Sequence, residues 1–141
     1  MTNTAYRLPK TITDKVVMSI NEFGWRQGDF LEVIETARQN FIAIIGGQIQ
    51  YLFNDGTCEL YWLSYDTDKR KLGEDWLTYC NRTAKECIDK FNKLILTTDF
   101  EKEALTSFEF IVKKKKSGVN LNDHLIFILY FDDSETASFD K

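Results

Sequence analysis

The sequence predicts an α+β domain: a mainly antiparallel sheet of about four or five strands, two N-terminal helices, and one long helix packed across the sheet. Three observations predict it. Residues 42–66, IAIIGGQIQYLFNDGTCELYWLSYD, read as a short buried strand, a Gly-Gly break, and two alternating strands joined by a tight turn. Trp76, Cys80, Ala84, Cys87, Ile88, Phe91, Leu94 and Ile95 trace an apolar stripe at helical spacing. HLIFILYF, residues 124–131, is apolar on both faces, as a strand in the middle of a sheet must be.

The length of 141 residues, 43% hydrophobic and 28% charged, fits a single domain spanning residues 1–141. Within it, residues 1–11 form a loose lead-in and 132–141 an acidic, mobile tail. A formal net charge of −4 argues against direct binding of nucleic acid, which needs a basic surface. Cys58, Cys80 and Cys87 are odd in number and lack metal-ligand spacing, so they are expected as reduced core thiols of a cytoplasmic protein. MTNTAYRLPK carries no apolar h-region and no run is long enough to cross a bilayer, so neither export nor a membrane partner is expected.

Taken in order, Val16, Val17, Ile20 and Phe23 recur at helical spacing and predict a first helix over 13–23, stopped by Gly24. Trp25 follows in the connection. A second helix opens at Asp29 as N-cap and ends near Asn40, with Phe30, Leu31, Val33, Ile34 and Ala37 on its apolar face. Phe41–Ile45 is a short buried strand. Gly46-Gly47 marks a bulge or a close backbone approach, since a strand rather than a helix follows and a phosphate loop is therefore disfavoured. In the hairpin, Asn54-Asp55-Gly56 lies between the arms, with Asp-Gly supplying the positive φ of a primed turn. Glu74 and Asp75 suit the N-terminus of the long helix. Asp99 caps a short helical turn through Leu105, after which Phe108, Phe110 and Val112 alternate as a strand. Lys113–Lys116 then read as a solvated strand end or a charged edge that blocks strand addition.

Catalytic and metal chemistry is poorly supported. His124 is the one histidine, and neither Asn122-Asp123 nor the cysteines set it up for nucleophilic catalysis. Cys80 and Cys87 lie two helical turns apart on the core stripe, which is not zinc spacing. No catalytic residue, metal ligand or cofactor is assigned. A binding patch is better supported. Glu59 marks one face of the second hairpin strand as accessible and places Tyr61, Leu63 and Tyr65 on that face unless a helix covers it. With Asp66, Asp68 and Glu74 beyond, the expected contact residues are Glu59, Tyr61, Tyr65, Asp66, Asp68 and Glu74.

An amphipathic helix, a short strand into Gly46-Gly47, a hairpin ending at Tyr65-Asp66, and Gly73-Glu74-Asp75-Trp76-Leu77-Thr78-Tyr79 opening a long helix follow one another over residues 30–95. This succession resembles the small immunity proteins of bacterial polymorphic-toxin and contact-dependent growth-inhibition systems. The resemblance implies a cytosolic, non-enzymatic inhibitor that binds the C-terminal domain of one cognate toxin in a 1:1 complex. It would block the toxin's active site or an adjacent surface. Many such toxin domains are basic nucleases, which an acidic inhibitor meets by electrostatic steering. Gly46, Gly47 and Trp76 match the pattern and are assigned to the fold. The rival expectations are a small-ligand module with a pocket between the sheet and the long helix, and an enzyme working through His124.

Overall fold

The computed structural model describes residues 8–132, so residues 1–7 of the lead-in expected over 1–11 and residues 133–141 of the tail expected over 132–141 lie outside them. A five-stranded antiparallel sheet in the order β1-β2-β6-β4-β5 carries the molecule, with β1 Val17–Ser19, β2 Glu22–Trp25, β4 Gln48–Phe53, β5 Gly56–Ser64 and β6 Leu125–Ile128. The middle position of β6 agrees with its two apolar faces, since all four of its residues are buried. The apolar run does not stay in one sheet, however. After Leu129 the chain continues as β7 (Tyr130–Asp132), which pairs with β3 (Ala43–Gly46) in a separate two-stranded sheet.

The expected first helix is replaced by a hairpin. Leu8 is buried and a helical turn, α1 (Lys10–Thr13), follows Pro9, but Val17–Trp25 forms β1 and β2. Ser19 faces Glu22 across the turn Ile20-Asn21, where Ile20 takes φ 58°. Only α2 (Gln27–Gln39) represents the two N-terminal helices, and the helices lie mostly in the C-terminal half. Asp29 sits in the first turn of α2 rather than at its N-cap, which is Arg26. Trp25 is fully buried in β2 and donates its indole N–H to the Ile12 carbonyl at 3.1 Å.

Gly46 and Gly47 answer to a close approach. A Cβ at Gly47 would lie 1.8 Å from the Ile128 carbonyl oxygen, and Gly46 takes φ 139° with the Asp66 carboxylate 2.3 Å from where its Cβ would be. The β4–β5 turn differs from expectation. Phe53 pairs with Gly56, so Asn54 and Asp55 alone form the turn, and Gly56 is not among the positive-φ glycines. Gly56 is needed for space instead: a Cβ there would sit 3.0 Å from the Phe110 ring.

The long helix α3 (Trp76–Thr97) forms as expected, its N-cap Asp75 accepting from the Thr78 N–H at 2.7 Å. Asp99 caps α4 (Phe100–Ser107) in the same way. The strand expected over Phe108–Val112 is instead α5 (Glu109–Lys116). Its periodicity is ambiguous over so few residues, but Glu109 in the first turn and four lysines in the last suit the helix dipole, and Ile111 supplies a buried face. The lysines are therefore a helix end: Lys114 bonds Asp55 at 2.7 Å and lies over the Phe53 and Phe110 rings. Helices α2 and α3 pack on one face of the sheet. There Phe30 stacks on Phe91 at 4.3 Å and meets Phe127 and Tyr65 edge-on, so rings fill the space between sheet and long helix.

Candidate partner-binding surface

β5 is an edge strand, and its pairing slips by three residues. Between the Gln50–Glu59 and Gln48–Ser64 pairs, β4 contributes Ile49 alone while β5 contributes Leu60, Tyr61, Trp62 and Leu63. The extra residues bow outward and present Tyr61 and Trp62, 75% and 38% exposed. The two rings meet edge-on at 5.1 Å. Trp62 is steadied by stacking on Phe108 at 6.0 Å and by donating its indole N–H to Glu103 at 2.8 Å. An edge broken in this way cannot accept another strand, so any contact made here uses side chains.

Glu59 stands opposite Gln50 on the sheet face turned away from the helices. Next to it, Glu22 accepts from Gln48 Nε2 at 2.9 Å, from Gln50 Nε2 at 3.1 Å and from the Tyr130 hydroxyl. Burial, and then the Glu22 carboxylate, push the Glu59 carboxyl above its ordinary value. Among the described residues no cation pairs with either acid.

The other expected contact residues fall elsewhere. Tyr65 is fully buried: an odd number of extra residues reverses the facing of the strand, and its hydroxyl donates to Ile128 O at 2.5 Å and lies 3.0 Å from Gln48 O. It is a core residue, and the expectation of a surface tyrosine is corrected. Asp66 is exposed and accepts from Gly47 N–H at 3.1 Å. Asp68 is exposed and bound to α3 through its backbone, N–H to Glu86 at 2.9 Å and carbonyl to Arg82 at 3.2 Å. Glu74 is a clamp: Arg82 reaches it at 2.6 and 2.8 Å and the Lys71 N–H at 3.0 Å, and the guanidinium holds its carboxyl down at about 2. The structure thus puts Glu59 and Tyr61 along β5, sends Tyr65 inside, and groups Asp66, Asp68 and Glu74 along α3.

Two exposed aromatics escaped the sequence reading. Simple alternation from Glu59 puts Trp62 on the opposite, buried face. Phe41, 56% exposed, occupies the position after α2 where glycine is usual. It takes φ 59° while Phe41 N–H and Ile42 N–H close the helix onto Arg38 O and Ala37 O. No local signal announces it, because the helix end lacks the glycine that normally marks such a turn.

His124 and the cysteines serve packing. His124 Nδ1 is 2.9 Å from Leu52 O and its ring lies on Phe53 at 4.5 Å. Cys58, Cys80 and Cys87 are all buried and form no disulfide among the described residues. Among the described residues no group of His, Cys, Asp and Glu could hold a metal ion, and no helix is long and apolar enough to cross a membrane.

The fold is thus an α+β scaffold whose histidine and thiols are packed into it and whose edge strand β5 carries an exposed aromatic pair next to Glu59 and Glu103. The chain belongs to the Immunity protein 40 family (Imm40), whose model matches residues 16–112 of the 141. Membership implies a toxin as cognate partner. The match ends before β6, the strand that completes the sheet. No curated protein and no solved structure matches the chain.

Proposed function

We propose that this immunity protein neutralises its toxin by docking the outer edge of β5 onto the toxin domain, in a 1:1 complex formed in the cytoplasm. The observation that carries the reading is the bowed segment of β5, which holds Tyr61 and Trp62 in solvent beside Glu59 and Glu103. Aromatic side chains of this kind supply large contact area with few rotamers to freeze, and the flanking acids suit arginines and lysines. The toxin domain is basic, a nuclease whose phosphate-binding surface the inhibitor occludes. Asp66 and Asp68 extend the acidic approach along α3 and speed association. Glu74 supports the loop rather than touching the partner. Inhibition needs no catalysis and no cofactor.

Co-purification of the tagged chain with the C-terminal domain of the toxin encoded beside it tests the reading. A stoichiometric complex with nanomolar affinity, weakened by Tyr61→Ala and Trp62→Ala, is expected. A complex indifferent to both substitutions would move the interface away from β5.

A further inference from the structure

A cavity of about 240 Å³ opens where the end of α3, the start of α4, β4 and the segment before β6 come together. Its polar lining comes from Gln27, Tyr51, Thr98, Asp99, Glu101 and Asn122. Tyr51 is fully buried, and its hydroxyl has no hydrogen-bond partner. Leaving a buried hydroxyl unpaired is costly, and a phenylalanine would fill the same space without that cost. The hydroxyl therefore has no work to do in the fold as it stands.

The charges around the cavity decide what it can receive. Glu101 is paired with Lys115 at 2.7 Å. Asp99 spends Oδ1 on capping the Lys102 N–H at 3.1 Å, and no described cation pairs with it. That cap also occupies the α4 N-terminus, which would otherwise attract an anion. The cavity is thus negative at its wall, and the buried, unpartnered Tyr51 hydroxyl belongs to a residue that lines it.

We propose that the Tyr51 cavity seats a guanidinium or primary ammonium group, with the Tyr51 hydroxyl accepting an N–H and Asp99 supplying the counter-charge. The group comes either from an arginine or lysine of the toxin domain or from a free organic cation. The seat itself stands independently of the toxin reading, and the experiment separates the two sources.

Methylguanidinium and methylammonium are titrated into the full chain and followed by NMR at the Tyr51 ring and the Gln27 and Asn122 amides, with sodium chloride as the ionic-strength control. Saturable shifts are expected, weakened at least tenfold by Tyr51→Phe and by Asp99→Asn, which keeps the helix cap. Tyr51→Phe should not lower the melting temperature. Affinity for the toxin domain is then measured with the same variants. A loss of about tenfold or more assigns the seat to a toxin side chain, whereas unchanged toxin affinity with retained methylguanidinium shifts assigns it to a free cation. Absence of saturable shifts together with unchanged toxin affinity would overturn the proposal, as would a lower melting temperature for Tyr51→Phe, which would give the hydroxyl a structural bond.

Discussion

Glu74 separates a clamp from a contact. Its carboxylate takes two N–H bonds from Arg82, at 2.6 and 2.8 Å, and one from the Lys71 backbone at 3.0 Å, tying the loop before α3 to the helix. The Arg82 hydrogen bond holds its carboxyl at about 2 instead of 4.5. Taken alone, that difference sets a ceiling of about 3 kcal/mol on the stabilisation at neutral pH. Solvent reaches the Arg82 side of the pair, so screening reduces the expected value to about 1–2 kcal/mol. Because the folded chain keeps Glu74 ionised to lower pH than the unfolded chain does, this stability is complete above about pH 4.5 and is lost as the pH falls toward 2. Urea denaturation of the wild type and Glu74→Gln at pH 7 should therefore differ by about 1–2 kcal/mol, and the gap should close with acid. Toxin affinity should hardly change. Parallel pH profiles for the two proteins would refute the clamp, and an affinity loss at unchanged stability would restore Glu74 as a contact.

Other expectations follow from the same geometry. Tyr61→Ala should leave stability within about 0.5 kcal/mol yet weaken toxin binding by about 2 kcal/mol, roughly thirtyfold, as read by calorimetric titration. Gly47→Ala drives a Cβ into the Ile128 carbonyl and should cost about 3 kcal/mol or more in urea denaturation. Gly28→Ala, at an exposed site of α2 where a Cβ meets nothing, should instead add about 0.5 kcal/mol. Burial pushes the Cys87 thiol far above its ordinary value, and Cys58 and Cys80 are also buried, so a thiol reagent at pH 8 should label the chain only as fast as it unfolds. Rapid labelling under native conditions would contradict that packing.

What the sequence made legible was local. The acids at the start of α3, the Asp99 cap, the stripe of α3 and the tight glycines at 46 and 47 each declare themselves within a few residues. The hairpin at the N-terminus did not. Val16, Val17, Ile20 and Phe23 satisfy a helical period, and strands as short as β1 and β2 offer too little alternation to compete with it. What makes them strands is pairing: β2 lies against β6, about a hundred residues away in sequence, and Ser19 donates to Gln50 at 2.8 Å. Phe108–Lys116 fails in the opposite direction, since its alternating rings hide the charge pattern of a helix.

The candidate surface was half legible for a single physical reason. Reading β5 by strict alternation assigns Trp62 to the core and Tyr65 to the surface, and the structure inverts both. The three extra residues between the Gln50–Glu59 and Gln48–Ser64 pairs reverse the facing of everything after them. Glu59 before the slip and Tyr61 within it lie where alternation puts them; downstream, Tyr65 turns inward, where its hydroxyl joins Gln48 to Ile128 close to Gly47. The inward Tyr65 and the outward Trp62 are therefore two consequences of one irregularity. A bulge that anchors its end in the core while projecting two aromatics from an edge strand would give the proposed contact surface rigidity without exposing a strand to aggregation. Deleting its three extra residues would restore a flat edge and bury what the partner is expected to grip, so toxin binding should vanish even if the sheet becomes more regular.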